Sequence, residues 1–360
     1  MWVVRHDIVS PSRLDSILAT AQKYHFTDLF VQVRGRGDAY YTSNYEPRPL
    51  DLDDSFDPLR YITERSRGLD IRIHAWINAF YLWSSNELPQ SESHLVNSAP
   101  HWIVYPANYS EEGTLNERRG NSEGFYHSPL LPEVQDHLLQ VIDDILSNYD
   151  IDGLHLDYIR YPGRDFDFHP WVRRQFMKRY ILDPIDLKNN KDYFIQKYGI
   201  IGYELYFDRW TKFLRDGLSS FIQRLTAIER RKHPELIISA AVKADLKQAY
   251  WEYYQDWSKW IQKGWLDWVL PMNYIEDNTI FTSRLQEYQK LALQNKMSIG
   301  IALYNQSAEQ AMKKILDVQK YAMPGFVLFS YFQFKKSAKF RKLYLKYLLN
   351  KVEIDHGKSG

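Results

Sequence analysis

The segment from Asp152 to Pro162, D-G-L-H-L-D-Y-I-R-Y-P, holds the groups with the greatest chemical potential in this chain. His155 and Asp157 share one parity, and Leu154 and Leu156 share the other. A strand of that pattern rests one side on apolar neighbours and turns an imidazole and a carboxylate towards a polar interior or cleft. Cleaving a glycosidic bond takes two carboxyl groups, one protonated and one ionised. Asp157 is the first choice for one of them. Nearby cations would keep it ionised, as a nucleophile or base, whereas burial would push its pKa the other way. Asp245 is the leading partner, two residues beyond Lys243 and in the same parity if the strand continues. Asp38 in R-G-R-G-D-A-Y-Y, Asp256 in Q-D-W and Glu276 after P-M-N-Y are further candidates. Asp152, beside Gly153, suits a turn or cap.

Groups of this kind need elements that hold them at one place. Strand-like runs are expected at 2–4, 28–33, 71–77, 151–156, 236–242, 266–272, 298–303 and 325–329. Helical patterns follow each of them, several opened by Pro at the first helical position, as at Pro11 and Pro132. Strict alternation demands parallel strands with crossover helices. Eight units in this length predict an α/β fold of the (β/α)8 TIM-barrel type. An open doubly wound sheet fits less well, because no Gly-rich phosphate turn follows the first strand. Two long excursions, from about 80 to 128 and from 162 to 202, follow strands three and four. Both fall on the face where barrel enzymes carry their sites. Residues 1–350 read as a single domain and 351–360 as a flexible tail.

Strand parity then sorts side chains. With the aliphatic parity facing the helices, Gln32 and Arg34 point inward from the second strand, and His74, Trp76 and Asn78 from the third. His155 and Asp157 do so from the fourth, Lys243 from the fifth and Tyr304 from the seventh, while Arg5 ends the first. The inward set becomes more polar towards the C-terminal ends, so Arg5, Arg34, His74, Asn78, Asp157, Lys243 and Tyr304 are expected at one mouth. His155, Arg160, Asn273, Tyr274 and Asp256 join them as candidate substrate-binding groups, and so do Arg36 and Asp38 of the glycine-rich loop. Such a set suits a polyol: Arg and Lys donate, Asp accepts, Asn does both and Trp76 offers a flat face. Trp83, Trp102, Tyr105 and Tyr126 of the first excursion are possible stacking rings.

Composition narrows the rest. Lys plus Arg is 46 and Asp plus Glu is 45, which argues against nucleic acid or an anionic membrane surface as partner. Cysteine is absent, which removes disulfides, thiol nucleophiles and thiolate metal sites. No G-x-S-x-G elbow is present. His6 and Asp7 could ligate a metal, but no matching histidines stand at other strand ends, so no metal and no cofactor is expected. Met1 leads straight into W-V-V-R, which fits a cytosolic protein or a mature domain whose leader has been removed.

Several motifs together resemble the glycosyl-hydrolase-like family 10 proteins. They are W-V-V-R, V-Q-V-R-G-R-G-D-A-Y-Y, I-H-A-W-I-N, Y-D-I-D-G-L-H-L-D-Y-I-R-Y-P, L-D-W-V-L-P-M-N-Y and G-I-A-L-Y. The resemblance spans nearly the whole chain, and D-G-x-H-x-D-Y-x-R-Y-P is its most specific part. It implies a (β/α)8 barrel, a polysaccharide substrate of bacterial cell-wall type, and Asp157 as a catalytic carboxylate. It also implies an extracytoplasmic location, periplasmic or cell-surface, with a membrane link only through a lipoprotein anchor missing from this chain. The residues leave two other readings open. One is a non-catalytic glycan-binding barrel. The other is a polysaccharide lyase using Asp157 with His155 or Tyr304.

Overall fold

Eight short β-strands alternate with helices in a computed structural model that describes residues 1–109, 114–292 and 294–357, the side chains of 351–357 excepted. The strands are β1 (Trp2–Val3), β2 (Asp28–Arg34), β3 (Arg72–Asn78), β4 (Gly153–Asp157), β5 (Ile237–Lys243), β6 (Trp268–Met272), β7 (Ser298–Ala302) and β8 (Gly325–Phe329). Each lies within two residues of its expected ends. They pair in parallel in sequence order, and β8 lies beside β1, so the sheet curls into a nearly closed barrel. The crossover helices explain the direction. Helix Pro11–Lys23 begins with Pro11, whose missing N–H costs nothing in a first turn. It buries Leu14, Ile17, Leu18 and Ala21 along one face. Helix Pro132–Asn148 repeats the device with Val134, Leu138, Val141, Ile142 and Ile145.

Two apolar cores result. The larger lies between strands and helices and takes the parity of Val31, Ile73, Ala75, Leu154 and Leu156. The smaller fills the barrel with Trp2, Phe30, Trp76, Ala241, Leu270 and Val327. The barrel is thus a packed plug, open only at its ends.

Register decides which groups share an end. β3 pairs with β4 so that Trp76 faces His155 and Asn78 faces Asp157. β2 pairs regularly with β3 until Gln32 meets Trp76; then the register shifts, and Arg34 meets Ile77. That irregularity takes Arg34 off the inward parity, a single extra residue being enough to reverse a strand's facing.

The first excursion is organised by a short antiparallel ribbon, Tyr81–Trp83 against Phe125–Tyr126. The second carries helix Pro170–Tyr180 and then helix Lys191–Lys232, interrupted at Gly199 where φ is +75°. Asp167, fully buried, pins the excursions together. It accepts from Tyr105 N at 3.2 Å, His169 N at 3.1 Å and the Ser128 hydroxyl. The final helix is Ala338–Gly357. The tail expected over 351–360 falls on residues whose side chains, and for 358–360 the backbone too, lie outside those described.

Candidate active site

Arg5, Gln32, Arg36, Trp76, Asn78, Asp157, Arg160, Lys243, Tyr274 and Tyr304 converge on a cavity of about 490 Å³ at the C-terminal ends of the strands, together with Tyr158, which follows Asp157, and Tyr81 and Glu123 from the first excursion. A larger cavity of about 610 Å³ lies at the opposite end, bounded by Met1, Asp28, Arg72, Trp268 and Tyr344. It offers one carboxylate, Asp28, which already accepts from His74 and Arg72. Of these two cavities the mouth is the chemically competent one, because among the described residues it sets two carboxyl groups beside several donors.

Asp157 ends β4 and is 6% exposed. The chain turns into the left-handed region at Tyr158, with φ at +50°, an uncommon conformation for a bulky residue. There the Tyr158 N–H donates to Asp157 Oδ1 at 2.7 Å. Burial raises the Asp157 pKa to about 6, against the pull of that N–H and of Arg160, with the charge of Glu123 adding to the rise.

Glu123 is the second carboxylate of the mouth. It stands just before the ribbon strand Phe125–Tyr126, and its side chain is half-exposed. Gly124 sits so close to the partner strand that a Cβ there would lie 2.2 Å from Trp83 O, which fixes where Glu123 emerges. Its Oε1 accepts from the Tyr126 hydroxyl at 2.6 Å and from Arg160 Nη2 at 2.8 Å. Burial alone would raise its pKa; the Arg160 charge and these two hydrogen bonds outweigh that and hold it below the ordinary glutamate value. Arg160 is held in turn by rings, its guanidinium carbon lying 4.6 Å from the Tyr158 centroid and 4.9 Å from that of Tyr253. Lys243 extends over the Tyr253 face at 4.2 Å, and burial, reinforced by Arg160, lowers its pKa to about 8. Asn78 binds Gln32, Trp76 and the Gly35 carbonyl, so its amide is a fixed part of the floor.

The other expected site residues lie elsewhere, each for a physical reason. Arg34 is fully buried behind the barrel wall, where it forks onto Glu46, itself bonded to His137. Burial opposes ionisation of Glu46, but Arg34 and His137 win and hold its pKa at about 2. His74 has inward parity but sits at the far end of the barrel, bound to Asp28 and stacked on Phe30. His155 is sealed one level below the mouth. It accepts from Trp2 Nε1 at 3.1 Å, so its proton is on Nδ1 and is given to Ser239 at 2.9 Å. Burial keeps this imidazole neutral. Asp245 caps helix Leu246–Trp251 by accepting from Gln248 N, because the strand ends at Lys243 and does not carry the parity further. Asp38 holds its own loop by accepting from Arg36 N at 2.8 Å. Asp256 begins helix Trp257–Gln262 and borders a separate surface hollow. Asn273 is buried between Phe281 O and Arg284. Glu276 borders another surface hollow, beside Asp277. Among the suggested stacking rings, Trp83 lies under Arg36 and Trp102 packs on His127 and His137. Tyr105 lies under Arg118, and Tyr126 is buried.

Glu123 escaped the sequence reading because it lies in an aperiodic stretch. The only available signal was that the 80–128 excursion had to lie over the mouth.

A (β/α)8 barrel that brings two carboxyls, with pKa values moved in opposite directions, to one cavity at the C-terminal ends of its strands has the architecture on which glycoside hydrolases are built. The chain belongs to the glycosyl hydrolase-like 10 family, whose model matches residues 2–323. It is 23% identical over 284 residues to glycosyl hydrolase YngK of Bacillus subtilis, an alignment covering 72% of this chain and 48% of that protein. It is also 23% identical over 303 residues to glycosyl hydrolase DigH of Escherichia coli, covering 79% and 63%. The chain therefore spans about half to two-thirds of the length of these relatives. In fold it is similar to the glycoside hydrolase domain of PgaB (BpsB) from Bordetella bronchiseptica. That match has a TM-score of 0.66 at 11% identity and covers 96% of this chain and 97% of that one.

Proposed function

We propose that this barrel hydrolyses O-glycosidic bonds of a polysaccharide, with Asp157 giving the proton to the departing oxygen and Glu123 acting as the ionised partner. The observation that carries the reading is the divergence of two carboxyls in one cavity, Asp157 raised to about 6 by burial and Glu123 held down by Arg160 and Tyr126. Titratable pairs pushed apart in this way mark acid and base roles. Asp157 protonates the glycosidic oxygen as its bond to the anomeric carbon breaks. Glu123 supplies the negative group that this chemistry needs, as nucleophile or as base towards water. Trp76, Tyr81, Tyr274 and Tyr304 bring aromatic rings to the cavity wall, where sugar can pack. Asp245 has no part in this assignment. We further infer a bacterial cell-wall glycan as substrate and an extracytoplasmic setting, on the strength of the motif resemblance described above.

The test is mass spectrometry of products from a panel of bacterial cell-wall glycans, with and without peptide stems. Hydrolysis predicts fragments that together add the elements of one water for each bond cut, and loss of product with Asp157→Asn. Unsaturated sugar ends would overturn it in favour of a lyase. Binding with no release of fragments would overturn it in favour of a glycan-binding barrel.

A further inference from the structure

We propose that Arg5 and Arg36 form a subsite for a carboxylate carried by the bound glycan; this rests on the reading of the mouth as a glycan site. Four cations line the cavity, Arg5, Arg36, Arg160 and Lys243, against two carboxyls, Glu123 and Asp157. Arg160 is committed to Glu123 at 2.8 Å. Lys243 lies nearer the catalytic pair, since both Glu123 and Asp157 act on it. Arg5 and Arg36 are different. Among the described residues their side chains are held by neutral groups only. Arg5 Nη1 donates to Gln32 Oε1 at 3.2 Å. Arg36 Nη1 donates to Ser84 Oγ at 3.4 Å, and its guanidinium carbon lies 4.3 Å from the Trp83 ring centroid. The Nε of each is buried with no hydrogen-bond partner. The carboxylates of the neighbouring loop are engaged elsewhere, Asp38 with the Arg36 backbone N–H and Asp51 with Tyr40 and His6.

The two arginines are also brought together by the backbone. A Cβ on Gly35 would lie 2.5 Å from Arg5 Cδ, so only glycine lets Arg5 lie across the chain immediately before Arg36. Neither guanidinium is paired with a carboxylate among the described residues, so an anion at either gains a charge-assisted partner without breaking an ion pair. Guanidinium forks match the planar oxygens of a carboxylate, and such charge-assisted bonds are the strong ones. The R-G-R-G-D loop thus divides its labour: Asp38 holds the turn and Arg36 faces the substrate.

A sugar can carry its carboxylate as a lactyl ether or as a uronic acid, and the experiment separates these sources. Calorimetric binding is measured for the full chain bearing Asp157→Asn, so that glycans stay whole. The probes are an N-acetylhexosamine glycan with lactyl carboxylates, a uronate-bearing glycan, and each of these after reduction of its carboxyls to alcohols. Reduction should weaken binding of the recognised glycan by about tenfold or more, the worth of a charge-assisted pair. Which native glycan shows the loss identifies the source. The ratio should fall towards unity when Arg5→Gln and Arg36→Gln are added. Equal affinity for native and reduced forms of both glycans overturns the proposal, and needs no folded arginine variant. So does a ratio that survives in the folded double variant. Absence of product from the unsubstituted protein would overturn the hydrolase reading alone, because the binding ratio stands independently of cleavage.

Discussion

Two aspartates at opposite ends of the barrel, Asp28 and Asp157, both lie close to an arginine, and their chemistry is opposite. Asp28 accepts from Arg72 Nε at 2.8 Å and Nη2 at 3.0 Å, and from the Thr27 hydroxyl at 2.7 Å. It also faces His74 Nε2 at 2.8 Å. Burial acts to raise its pKa, but those donors win and hold it well below the ordinary aspartate range. Asp157 takes one backbone N–H, while the N–H groups of Arg160 go to Glu123 and to Tyr161 O. With fewer direct donors, burial wins and the pKa rises to about 6. A neighbouring charge alone does not decide the state of a buried carboxylate; the number of hydrogen bonds made to its ionised form does. The far end holds its carboxylate ionised, and the mouth raises the pH at which its aspartate loses the proton.

This contrast can be broken most sharply through activity. Asp157→Asn should lower kcat on a cleavable glycan by about 10²–10⁴-fold, the usual worth of a positioned acid. Asp28→Asn should leave kcat close to that of the unsubstituted protein wherever the variant is folded. A comparable loss in both, read by reducing-end release, would erase the distinction.

Stability should respond with opposite signs. The folded pKa of Asp157 is raised, so its contribution to stability is present below about pH 4 and is lost as pH rises through about 6. Asp157→Asn should therefore stabilise the fold at pH 7.5, by at most about 3 kcal/mol for a shift of this size. The folded pKa of Asp28 is depressed, so its contribution is present above about pH 4 and is lost as pH falls further. Asp28→Asn should cost about 1.5–3 kcal/mol at pH 7.5, since its hydrogen bonds are charge-assisted. Urea unfolding at pH 7.5 and pH 4 measures both: the gain from Asp157→Asn should shrink at pH 4, whereas the cost of Asp28→Asn should persist there, because its contribution is lost only at lower pH.

The smallest effect concerns the coupling of the pair. The Glu123 charge helps raise the Asp157 pKa, so Glu123→Gln should move it downward. A carbon-13 titration of the Asp157 carboxyl reads this directly. An upward shift would show that Arg160, released from Glu123, does not compensate as an added cation should. In the unsubstituted protein, kcat/KM should fall as pH rises through about 6, where Asp157 loses its proton.

Much of this protein is written in short-range pattern. Alternating aliphatics at Ile73, Ala75 and Ile77, and again at Leu154 and Leu156, define strands with one apolar face, because side chains alternate with a period of two. Eight such strands, each followed by a helix, determined the barrel. Parity also determined that Trp76, Asn78, Asp157 and Lys243 look inward, and the direction of the strands determined which end they approach. Four things were decided only by the tertiary structure. A register shift after Gln32 carried Arg34 out to Glu46, and nothing in a local pattern announces where one ladder slips against its neighbour. Depth along the barrel put His74 and His155 beyond reach of the mouth, although their parity matches that of Asp157. The second carboxylate came from Glu123, carried over the mouth by a ribbon whose partners are some 40 residues apart in sequence. Whether Asp157 is a proton carrier or a locked anion likewise depends on the shell that encloses it. Burial is a property of chain segments brought together from far apart, and local residue order does not contain it.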